Sequence, residues 1–237
     1  MTVKDSTTEN PKKPATGTAP VSRRKFFTYA GLSAATVIAA NACTKEQRDY
    51  FEPKPKDAVD LGSGDIGILN YAYALEQLEA AFYIKVCSAF YDGATAKEKL
   101  YLDDVQRHEI AHREFFKNAL GDKAIGALKV DFSSIDFKSR ASVLGTAKAF
   151  EDLGVSAYNG AGELLQSGVY LLLAGKIVSV EARHAAAIRD LIKYGDFAGD
   201  DVVDMNGLDV SRKPPQVLAI ASKYIVTKID ASNLPTT

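Results

Sequence analysis

Four long segments of the sequence carry apolar residues at the three- and four-residue spacing of a helix, and a glutamate interrupts each apolar stripe. The segments cover about 65–91, 96–120, 138–165 and 169–194. No sustained alternation of the kind typical of strands competes with them. Short turns at 92–93 and 166–168 separate the members of each pair, and a longer connection, about 121–137, joins the pairs. We therefore predict an all-α domain, a four-helix bundle made of two helical hairpins joined by a crossover.

The glutamates in the four stripes are the candidate functional residues. In the second and fourth segments a histidine follows the glutamate by three residues, a spacing that puts both side chains on one helix face. In the first and third segments the glutamate stands alone between small apolar residues. All these side chains are predicted to point into one core. The six candidate ligands are Glu76, Glu109, His112, Glu151, Glu181 and His184.

Four buried glutamates need a source of positive charge. Burying ionised carboxylates without compensation costs far more than the roughly 5–15 kcal/mol that stabilises a whole domain. The nearby basic residues do not form a matching set; they are Arg107, Arg113, Lys148 and Arg183. Two divalent metal ions would balance four carboxylates, and the imidazoles complete an oxygen and nitrogen ligand set suited to iron or manganese. The alternative is a bundle without metal whose glutamates are solvated.

The two predicted hairpins repeat one pattern. A tyrosine follows the lone glutamate by seven residues in each, giving Tyr83 and Tyr158. We expect these tyrosines to hydrogen-bond the ligands, with ordinary core packing as the alternative. Glu79, one turn from Glu76, is a candidate extra ligand, but we favour a partly exposed glutamate at this position. His108 adjoins the second-segment motif and is expected to face away from it, into solvent.

Residues 1–42 are predicted to be an export signal. Arg23 and Arg24 precede an apolar stretch that is short for a membrane span, which needs about 20 apolar residues. The paired arginines resemble the twin-arginine export signal of bacteria. Ala42-Cys43 resembles a lipoprotein cleavage box, with ordinary signal cleavage at the same bond as the alternative. The expected partners are the twin-arginine machinery and a membrane, reached through a lipid on Cys43, and the expected location is the periplasm or cell envelope.

The remaining organisation follows from composition. Residues 43–64 are charged and contain Pro and Gly, which predicts a tether. The bundle is predicted to cover residues 65–195. Residues 196–237 are predicted to form a C-terminal extension with a short helix opened by Pro214-Pro215. The formal net charge of −1 gives no field that would attract nucleic acid, so no nucleic-acid partner is expected. The chain has only two cysteines, which excludes a disulfide framework and an all-thiolate metal site.

Three stretches resemble the ferritin-like domain family, the di-iron carboxylate type that includes plant desiccation-related proteins and many exported bacterial proteins. They are residues 75–83, 154–161 and 180–185, and the resemblance spans about 64–194. It implies a ferritin-like four-helix bundle in which the six candidate ligands hold a di-iron type site. The leading hypothesis is two iron ions, or manganese, that react with dioxygen or peroxide in iron oxidation or oxidative-stress protection. The alternative is a metal-binding or structural, desiccation-type protein without turnover, and a homodimer is the candidate assembly.

Overall fold

The computed structural model describes residues 57–236, and five helices make up most of this part of the chain. They are α1 (Gly64–Ser88), α2 (Ala96–Leu120), α3 (Arg140–Gly162), α4 (Gly168–Ile192) and α5 (Pro214–Ala221). The 3-10 turn Gly121–Lys123 follows α2, and two short strands, β1 (Val59–Asp60) and β2 (Ile229–Asp230), form a parallel pair. The predicted export signal, including Arg23, Arg24 and Cys43, lies outside the described residues. Between residues 57 and 236, no helix has the length and apolar character needed to cross a membrane.

The four long helices form two hairpins. α1 packs closely along α2 and α3 packs along α4, while contacts between the hairpins are fewer. The connection between α2 and α3 is the crossover, and its Phe132 and Phe137 rings lie against Phe82 of α1. The Phe82–Phe132 pair is edge-on and the Phe82–Phe137 pair is tilted, and both tie the crossover to the bundle core. The prediction of an all-α bundle built from two hairpins and a short C-terminal helix is confirmed.

Hydroxyl side chains determine where three of the helices begin. Thr95 and Glu98 form a reciprocal capping box at the start of α2, and the Thr95 Oγ1 accepts from the Glu98 backbone N–H. Ser139 and Ser167 accept from the first turns of α3 and α4 in the same way. Such caps satisfy backbone donors that a helix leaves unpaired, and each contributes about 1 kcal/mol. The predicted helix starts therefore agree with the structure to within about two residues.

The two ends of the described chain meet in the β1–β2 pair. The Val59 N–H donates to the Lys228 carbonyl at 2.8 Å, and the Leu61 N–H donates to the Asp230 carbonyl at 3.1 Å. Leu61 is fully buried. The last residues of the predicted tether therefore belong to the folded domain. Two-residue strands have no detectable alternation in sequence, so the pattern gave no signal for them.

The C-terminal extension crosses the outer face of α3. The Arg212 N–H donates to the Ser156 carbonyl at 3.0 Å. A Cβ at Gly160 would lie only 1.9 Å from the Arg212 carbonyl oxygen, so the close crossing requires glycine there. The extension is also held by Arg189 of α4, a buried side chain that forms an ion pair with Asp201 at 2.8 Å.

Candidate metal centre

The four glutamates of the helix stripes meet in the middle of the bundle. One comes from each of the long helices, and all four are completely buried. The two histidines lie beside them, His184 almost fully buried and His112 with 12% of its side chain exposed. The structure thus brings together all six residues that the sequence singles out as candidate ligands.

The six side chains form two overlapping groups. We name them the first position (Glu76, Glu109, His112, Glu181) and the second position (Glu109, Glu151, Glu181, His184). Within each group, one ligand atom from every residue lies within 4.8 Å of all the others. Glu109 and Glu181 belong to both groups. The arrangement therefore provides two adjacent sets of four donors that share two carboxylates.

The candidate ligand atoms lie within ion-pair distance of one another but not in hydrogen-bonding geometry. The His112 Nδ1 lies 2.8 Å from the Glu181 Oε1, and the His184 Nδ1 lies 2.8 Å from the Glu109 Oε1. Among the described residues, neither nitrogen has a partner in hydrogen-bonding geometry, nor does either carboxylate oxygen of Glu109 or Glu181. Buried polar atoms are almost always hydrogen-bonded. Ligand atoms that converge without hydrogen-bonding each other fit a shared cation, so these residues fit a metal centre.

In the described part of the chain, lysine and arginine do not supply the balancing charge. Each of the four basic residues near the stripes has a partner outside the cluster. The contacts are Arg107 with Asp104, Arg113 with Glu114, Lys148 with Asp152, and Arg183 with the Ser179 carbonyl. Within residues 57–236, no ion pair joins a lysine or arginine to a glutamate of either position.

In the metal-free chain, protons take the place of a cation. Burial alone would lower the pKa of His112, but the carboxylates of Glu109, Glu181 and Glu76 outweigh burial and raise the pKa of His112 to about 12. The same competition raises the pKa of His184 to about 11. Burial raises the pKa of Glu181 well above its usual range, and the nearby Glu109 carboxylate adds to this. The cluster therefore holds several protons that a bound metal would displace.

Two tyrosines hydrogen-bond the glutamates that belong to only one position each, Glu151 and Glu76. The Tyr83 hydroxyl donates to the Glu151 Oε1 at 2.5 Å, and the Tyr158 hydroxyl donates to the Glu76 Oε1. The other oxygen of each glutamate, Oε2, has no hydrogen-bond partner within residues 57–236. Both bonds run between α1 and α3, so each hairpin supplies the tyrosine for the other hairpin's glutamate. The sequence predicted tyrosines that bond ligands, but not this exchange between hairpins.

Glu79 lies inside the bundle, so the expectation of a partly exposed glutamate is wrong. It is 3% exposed, and burial together with the Glu181 carboxylate raises the pKa of Glu79 well above its usual range. It is not a member of either position. A Cβ at Gly154 would lie 3.0 Å from the Glu79 Oε1 and 3.6 Å from the Glu181 Oε2. The missing side chain of Gly154 thus provides the room that Glu79 fills.

His108 is exposed, as expected, but it does not face away from the cluster. Its Nδ1 lies 2.9 Å from the Nε2 of His184, and the two rings are within 8° of parallel. The expectation that it faces away is wrong because α2 and α4 adjoin along the side that His108 occupies. Helical periodicity gives the angle of a residue on its own helix, but not which neighbouring helix lies there.

The fold and the cluster together define a class: a four-helix bundle whose core holds acidic and histidine side chains that could bind a metal. The sequence profile of the ferritin-like domain family matches residues 64–194, from the start of α1 to just past the end of α4. The chain belongs to the ferritin-like domain family. No curated protein matches the sequence significantly.

Proposed function

We propose that this is an exported ferritin-like protein with a dinuclear iron centre, or a manganese centre, that reacts with dioxygen or peroxide. The biological role would be iron oxidation or protection against oxidative stress. One observation carries the proposal: two buried groups of candidate ligands share Glu109 and Glu181, and each of the four glutamates has at least one carboxylate oxygen without a hydrogen-bond partner among the described residues.

The donor set matches this choice of metal. Each position offers one imidazole and three carboxylates, and the whole centre offers four carboxylates for two divalent charges. Mixed oxygen and nitrogen ligands suit iron or manganese, whereas zinc sites favour thiolate and imidazole, and calcium takes oxygen alone. When bound, such a pair of ions supplies electrons and open coordination positions to an oxidant.

The residues of the chain prepare the centre for that chemistry. Glu109 and Glu181 reach both positions and would set their separation. Burial and the adjacent Glu151 carboxylate raise the pKa of Tyr83 well above its usual range, so this phenol keeps its proton and continues to donate. Tyr158 does the same for Glu76, with burial as the main cause of its raised pKa. Fixed carboxylates in a water-poor core act more strongly on charge than they would in water.

Export and anchoring are part of the proposal. The Arg23-Arg24 pair and the Ala42-Cys43 junction support export by the twin-arginine route and lipidation of Cys43, with the mature domain in the periplasm or cell envelope. We expect the wild-type chain in the membrane fraction and the Cys43→Ala chain in the soluble exported fraction. An Arg23→Lys/Arg24→Lys chain that is still exported would contradict the twin-arginine route.

Metal content is the direct test of the centre. The full chain, loaded anaerobically with Fe(II) or Mn(II), should contain about two ions, and the Glu181→Ala/His184→Ala variant should contain far less. Glu163→Gln is the matched control, because Glu163 is exposed at the end of α3 and pairs with Lys213. Circular dichroism establishes that each variant is folded. A folded wild-type chain that binds neither metal would show that the glutamates serve the bundle itself.

Turnover separates an oxidant-reactive centre from a structural one. The iron-loaded wild-type chain should consume dioxygen or peroxide at least about tenfold faster than the His184→Ala chain, because the variant lacks one imidazole ligand. Equal rates would favour the desiccation-type structural protein without turnover. The solution mass tests whether the metal-binding alternative could be a storage protein, since a monomer or a homodimer cannot enclose a mineral core.

A further inference from the structure

The two metal positions are nearly equivalent in their ligands but differ beside their histidines. Both histidines follow a shared glutamate by three residues. The residue just before that glutamate is His108 in α2 and Val180 in α4. The place in α2 therefore carries a ring that can form a hydrogen bond, and the equivalent place in α4 does not.

His184 uses its two ring nitrogens in different directions. Its Nδ1 faces the cluster, 2.8 Å from the Glu109 Oε1 and 3.4 Å from the Glu151 Oε2. Its Nε2 faces outward and lies 2.9 Å from the Nδ1 of His108. The nearly parallel rings, with centroids 5.1 Å apart, place this contact in the plane of both imidazoles.

A metal held by the His184 Nδ1 would determine where the ring protons lie. A metal-binding nitrogen carries no proton, so the neutral ring of His184 would keep its hydrogen on Nε2. That N–H would donate to the Nδ1 of His108, which would accept with its lone pair. His108 would keep its own hydrogen on Nε2, on an exposed ring that water can reach. Hydrogen bonds of this kind fix the orientation and tautomer of a metal-binding histidine.

We infer that His108 is a positioning residue for the second position. At the equivalent place beside the first position, α4 carries Val180, which cannot form such a hydrogen bond. This inference rests on the dinuclear centre proposed above. Within the part of the chain that the structure describes, His184 is the only one of the two histidines with such a contact. The two positions should therefore bind metal with different affinities, the second more tightly than the first.

The test is a manganese titration of the full chain and its variants. Wild type should bind two Mn(II) ions in distinguishable steps. His108→Leu removes the acceptor and should weaken Mn(II) binding at the second position by about 10–100-fold. Binding at the first position should stay unchanged. His108→Asn should restore most of the affinity, because the amide oxygen can occupy the place of Nδ1 and accept the same hydrogen bond. Val180→Ala is the control at the equivalent place in α4, and both of its steps should match wild type.

The outcomes separate the positioning role from the centre itself. Unchanged binding in His108→Leu, or equal weakening of both steps, would overturn the positioning role. Failure of His108→Asn to restore affinity would show that ring packing, not the hydrogen bond, supports His184. A wild-type chain that binds no manganese or iron would overturn the dinuclear centre, and the role of His108 with it.

Discussion

At the scale of single residues, the candidate centre depends on which carboxylate oxygens remain without a hydrogen bond. Tyr83 and Tyr158 each occupy one oxygen of a glutamate, so the other oxygen remains available toward the cluster. Glu79 has no counterpart in the second hairpin, where Gly154 stands at the related place of the repeat. The cluster is therefore asymmetric in its carboxylates as well as in its histidines.

The Glu79–Gly154 contact can be measured by a double-mutant cycle. Gly154→Ala puts a methyl group 3.0 Å from the Glu79 Oε1, which is too close for an unmoved carboxylate. We expect this variant to lose about 1–3 kcal/mol of unfolding free energy. In a Glu79→Ala background the same substitution should cost much less, because the opposing carboxylate is gone. Urea unfolding of the four chains gives the coupling, and equal costs in both backgrounds would contradict the contact.

The sequence contains most of this residue-scale information, but not all of it. Helical spacing identifies Glu76 and Glu181 as core-facing, since each interrupts an apolar stripe on its own helix. The burial of Glu79 depends on Gly154, which belongs to a different helix. The contact between His108 and His184 likewise depends on how two helices are rotated toward each other. Such features require the packed structure, because periodicity describes one helix at a time.

At the scale of elements, the residues that start a helix are neighbours in sequence, whereas the segments that pair or cross are far apart in sequence. Thr95 and Glu98 specify the start of α2 within four residues of sequence, so the boundary can be predicted. The β1–β2 pair and the crossing over Gly160 join segments far apart in the chain. Their sequence signal is one small residue or two short strands, which no periodicity analysis would detect.

Alanine substitutions at Gly160 and Gly145, both in α3, should change the stability of the chain in opposite directions. Gly160→Ala should displace the C-terminal segment at Arg212, because the new Cβ would overlap its carbonyl, and should cost about 2 kcal/mol or more. Gly145→Ala meets open space in α3 and should stabilise the chain by up to about 1 kcal/mol through helix propensity. Urea unfolding measures both effects. Destabilisation by both variants to the same degree would contradict the crossing geometry.

At the scale of the whole molecule, the buried cluster couples stability to pH. Without metal, His112 and His184 have pKa values of about 12 and about 11, above the ordinary value of 6.5. Burial raises the pKa of Glu76 to about 7 from 4.5, although the adjacent His112 opposes this. The folded chain therefore binds more protons than the unfolded chain between about pH 5 and pH 11. Its stability must fall as the pH rises through that window.

We predict that the metal-free chain is less stable at about pH 9 than at about pH 6. Each extra proton bound by the folded state contributes roughly 1.4 kcal/mol per pH unit at most. Metal should reverse the trend, because it binds deprotonated histidines and its affinity rises with pH. Thermal unfolding with chelator and with Mn(II) measures both trends. A metal-free chain whose midpoint is constant or rises over this range would contradict the assignment of protons to the cluster.

The exchange of tyrosines between hairpins determines when the centre can exist during synthesis. A ribosome releases α1 and α2 first, and Glu76 then has no phenol to orient it, since that phenol belongs to Tyr158 in α3. Glu109 likewise has no Glu181 to complete either group of donors. A chain that ends before α4 therefore has neither complete group of candidate ligands. Under the proposed function, translation through α4 is the step that completes both positions.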